Sequence, residues 1–157
     1  MSLEFEVFPL RLSPGNLLRR SSDEMKAGLH RAFRDQGLDF TAEQWALLNT
    51  LWEREGLTQS QLAERTYKDR PNITRMLSVL ERRGLVAKQE DSSDKRCYRV
   101  FLTQAGRELK EMLAPVVVNY LNRVFAGLSQ GDLATLERIH RLILANLEEF
   151  QAKDRWR

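Results

Sequence analysis

The side chains best suited to chemistry fall between residues 65 and 99. Ten Lys and Arg stand there (Arg65, Lys68, Arg70, Arg75, Arg82, Arg83, Lys88, Lys95, Arg96 and Arg99) against five acids, a net of +5 in a chain whose total is +3. The remainder is slightly acidic, so the positive charge is a local feature that suits a polyanion. Within this run Arg70, Pro71, Asn72, Thr74, Arg75 and Ser78 gather on one short stretch. An arginine fork matches the two acceptors of guanine, an asparagine amide can pair with adenine, and a threonine methyl can meet thymine. Lys68, Lys95 and Arg99 are candidates for neutralising phosphates. Thr58 and Gln59, with Ser60, open a helix whose backbone amides can seat a phosphate. For an isolated helix the plain alternative is a solvated charged face, so the neighbouring elements must decide.

Other chemistry is sparsely represented. His30, His140 and Cys97 show no zinc-site spacing, and the chain has no glycine-rich phosphate loop and no nucleophile with a base. These absences argue against an enzyme and against a metal or organic cofactor. The single Cys97 rules out an internal disulfide and fits a reducing compartment. Lys95, Arg96 and Arg99 would stabilise its thiolate, which keeps a redox-sensing regulator as an alternative, although the chain has no second cysteine to resolve it. No apolar run reaches the roughly 18 residues of a membrane span, and residues 1–12 lack the pattern of a signal peptide. The expected location is the cytoplasm, with no membrane partner. With 42% hydrophobic residues over 157 positions, the chain can bury a substantial core.

The elements that position these side chains announce themselves locally. Residues 1–12 look like an extended arm. Ser13-Pro14 reads as a cap followed by a first-turn proline, opening a helix with Leu18, Met25, Leu29 and Phe33 on one face that runs to about Gln36, with Gly37 as its stop. Thr41 and Gln44 form a capping box, with Phe40 and Trp45 at the staple positions; the second helix has Trp45, Leu48, Leu51 and Trp52 as its apolar face, and Gly56 closes it. Thr58 and Gln61 repeat the box for a helix of about two turns, flanked by Leu57 and Leu62. After a break at Tyr67-Lys68, a fourth helix opens near Asp69 or Arg70 with Pro71 in its first turn. Ile73, Met76, Leu77 and Leu80 form its inward stripe, which turns Asn72, Thr74, Arg75, Ser78 and Arg82 outward.

The continuation decides the matter. Residues 85–90 and 96–102 alternate as strands around the turn-forming run from Asp91 to Lys95, so a hairpin follows a recognition helix directly. The pattern predicts a winged helix-turn-helix. Arg96 stands at the wing tip, where a guanidinium can enter the minor groove, and Asp94 is placed to orient it. Thr103 caps a long apolar helix that Pro115 should bend. Gly127 ends it, and Ser129 to Asp132 cap a last helix whose apolar residues extend from Leu133 to Phe150.

At this point the chain resembles the MarR family of bacterial transcriptional regulators. The match lies in Asp94, Arg96, Val100, Leu102, Thr103 and Gly106 of the wing and in Thr74-Arg75-Met76-Leu77 with Leu80-Glu81 and Gly84-Leu85-Val86 before it, and it covers roughly residues 15 to 150. Arg70-Pro71-Asn72 is less typical of the family and points to a distinct target sequence. The resemblance implies a mainly α fold with a small β wing, a single MarR-like domain over 1–157. It places a DNA-binding lobe at 41–103 and dimerisation helices at 13–37 and 104–152. It implies a homodimeric repressor on a palindromic double-stranded operator, released by a small-molecule effector held near His30, Phe33, Trp45 and Trp52. An alternative is a winged-helix protein-interaction module, but that would replace the wing and recognition-face charges, which are present here.

Overall fold

The structure, a computed structural model, describes residues 13–91 and 97–154, with side chains to residue 151. The arm at 1–12 and the wing-tip residues Asp94, Lys95 and Arg96 lie outside the described residues. The element order is α1 (Pro14–Asp35), α2 (Ala42–Glu53), β1 (Leu57–Thr58), α3 (Gln59–Thr66), α4 (Arg70–Arg82), β2 (Val86–Glu90), β3 (Tyr98–Leu102), α5 (Gln104–Val124) and α6 (Gln130–Asp154).

Local side-chain chemistry sets the helix starts. Ser13 Oγ accepts the Asn16 N–H, and both predicted capping boxes form, at Thr41 with Gln44 and at Thr58 with Gln61. Each box satisfies two amides that the helix cannot, a contribution of about 1 kcal/mol for the cap residue. Asp69 caps α4, with Pro71 in the first turn where its missing N–H is harmless. The tight break before α4 is made without glycine: Tyr67 takes a left-handed conformation at φ 52°, and the Lys68 N–H reaches the Ala63 carbonyl at 2.9 Å.

The stripe of Ile73, Met76, Leu77 and Leu80 is buried as predicted. It meets Leu47, Leu48 and Leu51 of α2, Leu62 of α3 and Val100 of β3 in one core, each full burial contributing about 1.5–3 kcal/mol. Leu47 was missing from the α2 face read in the sequence, because Trp45 and Trp52 drew that face a third of a turn away. Both tryptophans are half-buried at the core's margin.

The wing differs from a simple hairpin. The sheet has three strands in the order β1-β3-β2, all antiparallel, with Leu57 opposite Val100 and Val86 opposite Leu102. Leu57-Thr58 therefore serves at once as a strand and as the cap of α3. Thr103 fastens the exit of β3: its N–H goes to the Leu85 carbonyl (3.0 Å), its hydroxyl to the Gly84 carbonyl (2.6 Å), and the same Oγ1 receives the Gly106 N–H.

Residues as far as Leu121 form one unit and those from Asn122 a second. In the first, α1 and α5 pack into the same core as the winged helix through Leu29, Phe33, Leu109, Leu113 and Val117. Tyr120 also donates to the Met25 carbonyl at 2.9 Å. α5 runs without interruption through Pro115. In the second unit, α6 carries Leu136, Ile139, Leu142, Leu147 and Phe150 exposed in the single chain. No helix among the described residues is long and apolar enough to cross a membrane.

The cap of α6 gives a pH prediction. Asp132 accepts the Ser129 hydroxyl at 2.6 Å and the Ser129 N–H at 2.8 Å, and these bonds hold its carboxyl below the ordinary aspartate range. A folded pKa below the unfolded one adds stability above the unfolded pKa and loses it as pH falls through the folded one. Protection of the Ser129 and Asp132 amides, taken as exchange relative to the unstructured rate at the same pH, should therefore fall as pH drops below the usual carboxylate range. Asp132→Asn should flatten that dependence; an identical pH profile in the variant would contradict the assignment.

Candidate nucleic-acid interface

The outward face of α4 is built opposite its buried stripe. Arg70, Pro71, Thr74 and Arg75 are exposed, and Asn72 and Ser78 are half-buried at its edges. Several of these polar groups are held in place by the protein itself. Asp69 Oδ1 accepts the Asn72 N–H and Oδ2 accepts Asn72 Nδ2, both at 2.8 Å, while Asn72 Oδ1 accepts Arg75 Nη2 at 2.9 Å. Thr74 Oγ1 lies 2.9 Å from Gln59 Oε1 and 3.0 Å from the Arg70 carbonyl oxygen, so its single proton is shared between a bond within α4 and one that ties α4 to the start of α3. Ser78 Oγ donates to the Thr74 carbonyl. Beside this face a groove of about 350 Å³ lies between α4 and the start of α2, lined by Thr41, Gln44, Lys68, Asn72, Arg75 and Met76 among others.

The described basic residues of the segment divide by what they touch. Arg83 donates to the Asp39 carbonyl and lies 4.0 Å over the Phe40 ring, and Lys88 pairs with Glu81 at 2.7 Å. Arg99 has partners within the chain. Its Nε meets Asp91 at 2.5 Å and its Nη1 donates to the Gly56 carbonyl at 2.8 Å, so the fork joins β3 to the turn before β1. By contrast Arg65, Lys68 and Arg70 make no ion pair with a described residue, and Lys68 lines the groove beside Arg75. Thr58 is occupied as the α3 cap, whereas Gln59 is aligned by Thr74.

Two residues missed in the sequence shape this site. Asp91, assigned there to a turn, is 4% exposed and anchors Arg99, with its own N–H on the Cys97 carbonyl at 2.9 Å. Glu55 takes both Arg107 Nε (2.9 Å) and Nη2 (2.8 Å) and the Leu102 N–H, binding the end of β3 to the first turns of α5. An acid at the start of a turn-forming run and another just past a helix end were the available signals, but neither names a partner. Cys97 is exposed at the foot of β3.

Three of the four residues expected near an effector, Phe33, Trp45 and Trp52, lie in one aromatic row. Phe33 packs against Phe40 and Trp45 with ring centres 6.4 Å apart in each case, and Trp45 meets Trp52 at 5.4 Å. Phe33 is fully buried, and the Trp52 indole N–H is taken by the Gly106 carbonyl at 2.9 Å. His30 and Trp45 are half-buried.

A short helix, a tight left-handed break, a helix with a basic outward face and an antiparallel wing define a winged helix-turn-helix DNA-binding protein. Residues 40–98 match the model of the MarR family. The organic hydroperoxide resistance transcriptional regulator of Bacillus subtilis is 30% identical over 138 residues, covering 88% of this chain and 89% of that protein. Among solved structures, the PcaV transcriptional regulator of Streptomyces coelicolor in complex with its natural ligand aligns with a TM-score of 0.76 at 27% identity, over 90% of this chain and 98% of the other. The Staphylococcus aureus MepR–DNA complex aligns at 0.77 with 25% identity, over 86% and 98%. The chain belongs to the MarR family and is a DNA-binding transcriptional regulator.

Proposed function

We propose that the protein acts as a homodimeric repressor on a palindromic duplex operator, reading bases through α4 and phosphates through the surrounding cations. The observation that carries this is the α4 face itself, where Arg70, Thr74 and Arg75 stand outward on a helix whose opposite side is locked in the core. Arg75 is assigned to a base edge, with Arg70, Pro71, Thr74 and Ser78 beside it; Lys68, Gln59 and the start of α3 at Thr58 are assigned to the backbone. Lys95 and Arg96, oriented by Asp94, are assigned to the wing contact on the strength of the sequence alone. Arg99 is assigned to holding the wing.

The second chain is supported by apolar surface. Leu17 and Leu18 of α1, Met112 and Val118 of α5 and the α6 residues named above are exposed in the single chain, more than isolated surface leucines would give. Two-fold symmetry would set two α4 helices about one helical turn of DNA apart. Release by a small molecule is supported by the ligand complex of the similar PcaV. An effector acts by preferring a subunit spacing that the operator does not fit.

The test uses a duplex selected by the protein from a randomised library, and a scrambled duplex. Binding to both should weaken steeply with salt, with two chains per selected duplex. Lys68→Ala should lower affinity for both duplexes alike and reduce the salt slope by about 1. Arg75→Ala should remove about 1–3 kcal/mol of preference for the selected site. Salt-insensitive binding, or one chain per duplex, would overturn the proposal.

A further inference from the structure

We propose that Asp69 and Asn72 form a relay that aims Arg75, so that Asn72 is a positioning residue and not a reader of bases; this rests on the reading of α4 as the base-reading helix. The three residues are spaced by three, which places them in succession along one side of the first turns of α4. Asp69 uses one carboxylate oxygen as the helix cap and the other to hold the Asn72 side-chain amide, and the far end of that amide holds Arg75 Nη2.

The direction of the relay is fixed by chemistry. An ionised carboxylate can only accept and a guanidinium can only donate, so the Asn72 NH2 must face Asp69 and its oxygen must face Arg75. The reversed amide would set oxygen against oxygen and N–H against N–H. Adenine recognition would need the donor and the acceptor of Asn72 to turn together toward one base edge, and each already holds one charged partner on the same helix, so that turn would give up a charge-assisted bond. Arg75, in contrast, gives up one of its five N–H donors and keeps enough for a two-point contact with guanine.

The charge of Asp69 supports the same assignment. A carboxylate on a DNA-facing turn repels phosphates at every sequence alike, whereas a serine or asparagine would cap the helix without that repulsion. What the second carboxylate oxygen adds is the hold on Asn72. An arginine ordered before contact loses less freedom on binding, and this benefit is realised only where the correct base meets it. Asp69 thus lowers affinity for DNA in general and raises discrimination.

Asp69→Ser keeps a cap for the Asn72 N–H but lacks the second oxygen. Its thermal midpoint should stay close to that of the parent and its affinity for scrambled duplex should be equal or higher. The ratio of selected to scrambled affinity should fall about five- to tenfold, a fraction of the discrimination expected of one well-made two-point contact. Asn72→Ala should lower the ratio by the same factor, and the double variant should add nothing, as for two members of one chain of contacts. An unchanged ratio in Asp69→Ser, or a larger loss in Asn72→Ala with a changed preference for adenine at one position, would overturn the relay. If Arg75→Ala leaves the ratio intact, the assignment of α4 as the reader fails first and the relay with it.

Discussion

Replacing Gly106 with alanine is expected to destabilise the protein by about 3 kcal/mol, read as a fall of roughly 6 to 12 °C in the unfolding midpoint for a chain of this size. Helix propensity alone gives the opposite sign, since alanine inside a helix is favoured over glycine by about 0.5–1 kcal/mol. Steric conflict reverses it. A Cβ at 106 would sit 2.0 Å from the Leu85 carbonyl oxygen and 3.0 Å from its carbon, and both are backbone atoms that no rotamer change can move. That same carbonyl receives the Thr103 N–H, and the carbonyl of Gly106 receives the Trp52 indole, so any shift of α5 away from Leu85 strains bonds on both sides. Gly15, also helical but with nothing within 4 Å of its added Cβ, supplies the control: Gly15→Ala should be neutral or slightly stabilising. Equal midpoints for the two variants would refute the close approach.

Asp91→Ala should cost about 2 kcal/mol and weaken binding to the selected duplex without altering which sequence is preferred. Its carboxylate is 4% exposed and meets Arg99, whose side chain is 41% exposed. A fully buried pair broken on one side costs about 3–5 kcal/mol, but solvent still reaches half of this one, which brings the figure down. The loss should concentrate in the wing. Hydrogen exchange should accelerate at Arg99 and Val100 of β3 before it does in α4, and Asp91→Asn should recover part of the protection by keeping an acceptor for Arg99. Unaltered exchange in β3 would mean that Arg99 is held by Gly56 alone.

The features legible in the sequence were those whose physics is local. Thr41 and Gln44, or Thr58 and Gln61, complete their bonds within four residues, and the Ile73, Met76, Leu77 and Leu80 stripe needs only the helical period. The outward face of α4 followed from the same period. Features that depend on distant partners stayed hidden. Leu57-Thr58 is too short to show alternation and was already explained as staple and cap; only Val100 and Arg99, far along the chain, make it a strand. Asp91 sits in a run rich in turn formers, and its burial depends on an arginine in the opposite strand. The bonds of Arg99 to Asp91 and Gly56 stayed hidden in the same way, because charge alone does not name an intramolecular partner. The aromatic residues Phe33, Trp45 and Trp52 stand in ring contact, which the sequence could only suggest from their places on the first two helices. The bonds from Asp69 through Asn72 to Arg75 were not read in the sequence, where Asp69 stood only as a possible helix start and Asn72 as a partner for adenine.

The three-stranded wing also sets an order of events during synthesis. β1 finds its partner only when Val100 is available, 43 residues after Leu57, and the Gly56 N–H and carbonyl wait for Val100 and Arg99 as well. At ribosomal rates of about 5–20 residues per second, that interval lasts roughly 2 to 9 seconds. During it α3 and then α4 are completed, each with its cap in place but without β3 to pack against, while the edge beside Leu57 stays open. The last piece of the winged helix to close is thus the hem that joins its first half to its last, and a nascent chain halted before residue 100 would carry a reading helix without a finished wing.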